Sequence, residues 1–236
     1  MKRILIKLSG EGLANKEKGL DIDPNVVSGL VKQIKTICES GVQVGIVVGG
    51  GNFWRGASAA KNGIPRNRAD YIGMLATVMN GLALQSAFEE FGMKAKIQSS
   101  LQMDPKVAET YVNENAIEAL NNGCVVIFAG GTGRPYFTTD TAATLVASEI
   151  NAESILMGKN GVDGIFDSDP KKNPDAKRFE TITWDEILEK GLEVMDSTAA
   201  SMARDNDINL VVFDINKEDA LLKALTGENP QTKVTK

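Results

Sequence analysis

The stretch Val42-Gln43-Val44-Gly45-Ile46-Val47-Val48-Gly49-Gly50-Gly51-Asn52 is a β-branched, almost wholly apolar run that ends on consecutive glycines. A strand apolar on both faces belongs in the middle of a parallel sheet whose two sides are covered by helices. Glycines placed directly after it leave backbone N–H groups open to an anion at the carboxyl end of the strand, where open α/β sheets bind their ligands. The same arrangement recurs twice. Residues 4–8 lead into Ser9-Gly10-Glu11-Gly12, and residues 125–129 lead into Gly130-Gly131-Thr132-Gly133. Strand-to-helix glycine loops repeated in this way predict a polyphosphate, or two phosphorylated ligands.

Working outward, shorter β-branched runs at 96–99, 154–157 and 210–213 alternate with longer amphipathic stretches, the pattern of a βαβ chain. Asp23 as N-cap and Pro24 at the first helical position open a helix through about Glu39, which Gly41 stops. Asp140 is expected to cap a helix over 141–150, and Thr183-Trp184-Asp185-Glu186 is a capping box. The longest helical pattern, 69–91, is rich in Met, Leu and Ala and contains Gly73 and Gly81. It reads as a core-packed helix or as a subunit contact. Residues 160–177, Gly- and Lys-rich with Pro170 and Pro174, suit an excursion or a boundary between lobes. The polar tail 228–236 is expected to fray.

The chain has 236 residues, 26 Lys+Arg against 31 Asp+Glu, a net charge of −5 and no histidine. That absence removes Ser-His-Asp and Cys-His nucleophiles, His-liganded metals and any imidazole base, leaving Lys, Arg, carboxylates, hydroxyls and backbone dipoles for chemistry. Cys38 and Cys124 form no C-x-x-C pair, and the first residues run into a strand without a signal-peptide core, so a cytoplasmic location is expected. No apolar run approaches the ~20 residues of a membrane helix, and no basic block offers a nucleic-acid footprint. Neither a membrane nor a nucleic acid is an expected partner.

The common phosphate motifs are missing. Gly158-Lys159 has Glu153 where a P-loop needs its first glycine and Asn160 where it needs Ser or Thr, and no G-x-G-x-x-G occurs. The charges beside the glycine loops are more informative. Lys7 sits in an apolar strand just before the first loop, where burial demands an anionic partner. Arg55 offers a bidentate phosphate donor at the lip of the second. Thr138, Thr139 and Asp140 close the third segment, while Asp169 and Asp196 are carboxylates in turn- or cap-like settings.

Taken together, Lys7-Leu8-Ser9-Gly10-Glu11, the run from Gly49 to Gly56, Gly73-Met-Leu-Ala-Thr-Val-Met-Asn-Gly81, Gly131-Thr-Gly-Arg-Pro-Tyr-Phe-Thr-Thr-Asp140 and Val162-Asp163-Gly164-Ile-Phe-Asp-Ser-Asp169-Pro170 resemble the bacterial uridylate (UMP) kinases of the amino-acid-kinase superfamily. The resemblance spans residue 1 to about 227. It implies a three-layer αβα sandwich with a mostly parallel central sheet, a single domain with a UMP-binding lobe over about 1–150 and an ATP-binding lobe over about 151–236. It further implies transfer of the γ-phosphoryl group of ATP to UMP with Mg²⁺, in a homohexamer, with UTP as inhibitor and GTP as activator.

Carried over by position, Lys7, Leu8, Ser9 and Gly10 would hold ATP phosphates together with Gly51 and Arg55, and Asn160, Phe166 and Asp169 would form the adenine and ribose site. Gly50 would touch UMP, and Asp70 its ribose. Thr132, Gly133, Arg134, Pro135, Tyr136, Phe137, Thr138 and Thr139 would surround its phosphate and uracil. Asp140 and Asp196 would organise Lys7 and the metal beside the phosphates, completing a catalytic set with Lys7 and Arg55. The chemistry agrees with the missing histidine: phosphoryl transfer to an already ionised phosphate oxygen needs positioning and cations rather than a base, and Mg²⁺ is held largely by phosphates and water. Two alternatives stay open, a superfamily kinase acting on a carboxylate or carbamate, and a non-catalytic UMP- or UTP-sensing module.

Overall fold

In the computed structural model, residues 2–54, 63–170 and 172–236 are described. Among them the sheet has nine strands, in the order β4-β3-β5-β2-β1-β6-β8-β9-β7. The central strands are β1 (Arg3–Leu8), β2 (Gln43–Val48), β5 (Val125–Ala129), β6 (Ser154–Lys159) and β8 (Asn209–Asp214). They are the expected runs, with bounds that differ by two residues at most. Every described pairing is parallel except that of β8 with β9 (Gln231–Thr235).

Alternation along the strands divides the core into two layers. Ile4, Ile6 and Leu8 face α1 (Pro24–Glu39), the C-terminal half of α2 (Arg66–Glu90) and α7 (Ala220–Thr226). Leu5, Val126 and Phe128 face the other way, onto α3 (Asn113–Asn121), α4 (Thr139–Glu149), α5 (Trp184–Lys190) and α6 (Ser197–Asp205). The result is the three-layer αβα arrangement, with the strands buried on both faces as their composition requires.

Two expectations change. Asp140 does not cap its helix: Thr138 does, its Oγ1 accepting from the N–H groups of Asp140 at 3.1 Å and Thr141 at 3.2 Å, so the helix begins at Thr139. The tail does not fray. It forms β9 between β8 and β7 (Thr181–Thr183), because Thr232 and Val234 are fully buried while Lys233 points out, an alternation the polar composition masks. Toward the opposite edge lies β3 (Ala95–Ser99), expected, and the edge itself is β4 (Glu109–Thr110), too short to carry a pattern.

Candidate active site

The glycine loops after β1, β2 and β5 meet at one end of the sheet, and α2 ties two of them together. Asn80 is fully buried within that helix; its Nδ2 donates to the Gly49 carbonyl at 2.7 Å, and it exchanges amide hydrogen bonds of 2.8 Å with Asn52. Three residues earlier, Thr77 Oγ1 accepts from the Gly130 N–H at 2.7 Å and donates to the Met74 carbonyl. Neither residue stands out in the sequence. Their signals are a place inside the Gly73–Gly81 motif and a polar pair, i and i+3, on one face of a Met/Leu helix.

The first two loops pack against each other as bare backbone. A Cβ on Gly10 would fall 2.3 Å from Asn52 Oδ1 and 2.7 Å from the Gly51 nitrogen, and a Cβ on Gly50 would fall 2.7 Å from the Gly73 carbonyl oxygen of α2. Glycine here is a requirement of close approach. Together these loops, Lys7, Glu11, Thr139 and the end of β6 (Gly158 and Lys159, followed by Asn160) enclose a cleft of about 320 Å³.

Lys7 shares with Leu5 the face of β1 that looks toward α4, and its Nζ lies 2.7 Å from Asp140 Oδ1, both side chains mostly buried. The cap by Thr138 leaves the Asp140 carboxylate available for this pair. Asp196 has a different setting. It caps α6 by accepting from the Ala199 N–H at 2.9 Å, and it also accepts from Thr141 Oγ1 at 3.0 Å and from Thr138 Oγ1. Burial alone would raise its pKa, but these hydrogen bonds hold it below the ordinary carboxylate range. Its hydrogen-bond partners belong to the start of α4 and to its own helix, and it lines neither the glycine-loop cleft nor the two clefts that adjoin it.

A second cleft, about 270 Å³, continues from Gly50, Gly51 and Thr139 to Asp70, Thr132, Arg134, Phe137 and Thr138. Asp70 accepts from Arg66 Nε at 2.8 Å and from the Tyr136 N–H at 2.8 Å, bridging α2 to a residue held at φ 74°. Arg66, which sequence reasoning passed over, also lies 5.9 Å from the exposed Tyr136 ring. Gly133, Pro135 and Tyr136 belong to the same turn but do not line the cleft.

A third cleft, about 510 Å³, runs from Lys159 past Ile165, Phe166 and Asp169 to Val194. Its wall is tied to the tail strand, where Thr232 Oγ1 accepts from the Ile165 N–H at 2.8 Å and donates to the Phe179 carbonyl. Leu8 turns its side chain into the core, and its carbonyl accepts from the Gly49 N–H at 2.9 Å. Arg55 lies outside the described residues. A fourth depression, about 780 Å³ and bounded by Lys94, Lys96, Glu109 and Cys124, sits at the start of β3, away from the glycine loops.

Among the described residues no cluster of three His, Cys, Asp or Glu could cage a metal. Glu11 is the carboxylate on the wall of the glycine-loop cleft. This donor set suits a hard cation that arrives on phosphate oxygens and keeps its waters. No helix among the described residues is long and apolar enough to cross a membrane.

Comparison with known proteins agrees with this architecture. The Amino acid kinase family profile matches residues 2–214. The uridylate kinase of Mycoplasmopsis synoviae strain 53 is 68% identical over 235 residues, covering 100% of this chain and 98% of that protein. That of Limosilactobacillus reuteri strain DSM 20016 is 51% identical, covering 99% and 96%. Among solved structures, the UMP kinase of Ureaplasma parvum superposes with a TM-score of 0.95 at 42% identity over 100% of this chain and 99% of that one. The UMP kinase of Bacillus anthracis gives 0.93 at 35%, covering 99% and 96%. By sequence and by fold, the chain belongs to the amino acid kinase family, among its uridylate kinases.

Proposed function

We propose that the chain transfers the γ-phosphoryl group of ATP to UMP, giving ADP and UDP. The carrying observation is the continuity of the clefts: Gly50, Gly51 and Thr139 belong to both the first and second, and Lys159 to both the first and third. A donor nucleotide in the third cleft and an acceptor in the second would therefore meet over the glycine loops. An acceptor phosphate oxygen attacks the γ-phosphorus, and the bond to the β–γ bridging oxygen breaks with its electron pair left on ADP. The acceptor arrives ionised, so no side chain need remove a proton.

In this reading Lys7, held by Asp140, and the loop N–H groups of Ser9, Gly10 and Gly51 spread positive potential over the phosphates, with Arg55 at the lip. Asp196 acts by fixing the Thr138–Thr141 turn. Asn160, Phe166 and Asp169 serve adenine and ribose, and Asp70 and the turn from Thr132 to Thr139 serve UMP. Mg²⁺ travels with ATP, and the chain divides into an acceptor part over about 1–150 and a donor part over about 151–236. Self-association into a hexamer would use α2, whose Tyr71, Ile72, Leu75, Met79 and Leu82 are exposed apolar side chains on one helix. UTP and GTP are the effectors to examine, and the cytoplasm is the location this chemistry suits.

The test is coupled ADP release with UMP, CMP, acetylglutamate, glutamate and carbamate as acceptors. Turnover with UMP is expected. Turnover with a carboxylate or carbamate alone would move the assignment within the family, and nucleotide binding without ADP release would make the chain a sensor.

A further inference from the structure

Lys159 is the residue common to the glycine-loop cleft and the third cleft. The sheet register places it on the face that carries Lys7: Lys7 pairs with Met157 across β1 and β6, and residues two apart in a strand share a face. Its backbone is fixed. The Lys159 carbonyl accepts from the Ile215 N–H at 3.0 Å, and just beyond, Asp214 Oδ1 accepts from the Gly161 N–H at 3.0 Å and the Asn216 N–H at 3.1 Å.

The side chain is another matter. Its ammonium donates to the Val194 carbonyl at 2.5 Å, and among the described residues it enters no ion pair. Lys7 has Asp140 as a counter-anion; among the described residues Lys159 has a carbonyl in that place. Burial presses its pKa below the ordinary lysine value, with Asp140 opposing and Lys7 reinforcing that shift. A half-buried ammonium with one neutral partner keeps two N–H donors unused and its charge without a direct counter-ion. Its missing partner is an anion, and the space it lines is the one that phosphates would enter.

We propose that Lys159 is a second catalytic cation, leaving the Val194 carbonyl to donate to the oxygens of the ATP triphosphate where the donor and glycine-loop clefts join. This rests on the kinase reading above. As the γ-phosphoryl group departs, negative charge grows on the β–γ bridging oxygen, so a cation placed there stabilises the transition state more than the bound substrates. Lys159 keeps its proton throughout. The rigid end of β6 aims the side chain, and the carbonyl of Val194 parks it when no triphosphate is bound.

The experiment compares the parent protein, Lys159→Met and Lys159→Cys in UMP-dependent ADP release, with melting followed by circular dichroism. Lys159→Met should lose ~10²-fold in kcat, the scale of one preorganised donor, while KM for UMP stays within about two-fold. Alkylating Lys159→Cys with 2-bromoethylamine rebuilds an ammonium at nearly the same reach and should restore most of the lost kcat. The parent treated identically controls for Cys38 and Cys124. A parent that releases no ADP with UMP overturns the kinase reading itself. An active parent with Lys159→Met within about three-fold of it overturns the role of Lys159 alone. If Lys159→Met melts early, the aminoethylated variant decides: a recovered melt without recovered kcat reduces Lys159 to a tether for Val194.

Discussion

At the scale of single residues, the site depends on which carboxylate is spared for which task. Thr138 takes the capping duty that the sequence would give to Asp140, and the freed carboxylate meets Lys7 at 2.7 Å. Replacing Lys7 by Ala should lower kcat by ~10²-fold or more with the fold retained and some stability lost, because one preorganised cation leaves a pocket built by backbone and the mostly buried Asp140 loses its partner. Activity within a few-fold of the parent would remove Lys7 from the reacting centre. Asp196, by contrast, is locked by hydrogen bonds from Thr138, Thr141 and the Ala199 N–H. Its pKa is depressed in the folded protein, so its contribution to stability is fully present above the unfolded value of about 3.9 and is lost as the pH falls through the folded value. Asp196→Asn should therefore be destabilised at pH 7 in urea melts, and the gap to the parent should close as the pH drops below about 4. A gap that stays constant down to pH ~3 would mean the carboxylate charge is not what stabilises.

At the scale of elements, α2 and β9 carry burdens that local sequence hides. In α2 the residues Thr77 and Asn80, a helical turn apart, hold the loops after β5 and β2 in register with each other. The Met/Leu/Ala pattern identifies the helix, but which of its polar residues turns inward depends on loops that arrive from other parts of the chain. β9 looks like a polar tail, and it becomes a strand only because Thr232 and Val234 have an inner face to meet. Thr232→Val keeps the shape and β propensity but leaves the Ile165 N–H and the Phe179 carbonyl without their partner. A loss of roughly 1–3 kcal/mol is expected from denaturant melts, together with a raised KM for ATP because the wall of the third cleft is released. A variant as stable as the parent, with KM unchanged, would show that β9 does not support that wall.

At the scale of the whole molecule, the absence of histidine becomes a kinetic statement. With no imidazole, any break in the pH–rate profile between about 6 and 7 should follow the second ionisation of the acceptor phosphate, whose pKa is near 6. An acceptor analogue with a shifted phosphate pKa should move the break by the same amount, and a break that stays put would require a perturbed side chain instead. The central strands, the glycine loops at their ends, the first helix and the capping box were all legible in the chain. Periodicity, capping chemistry and glycine are local properties, written in consecutive residues. So was the family, because its motifs are contiguous. What tertiary structure decided was pairing between distant segments: the direct contact of Asp140 with Lys7 that the family motifs only implied, Asp196 with the turn before α4, Thr232 with the wall of the third cleft, and Lys159 with the Val194 carbonyl. Those contacts are properties of distance in space, and a linear sequence states the groups available without stating which of them the packed sheet will bring within 3 Å of one another.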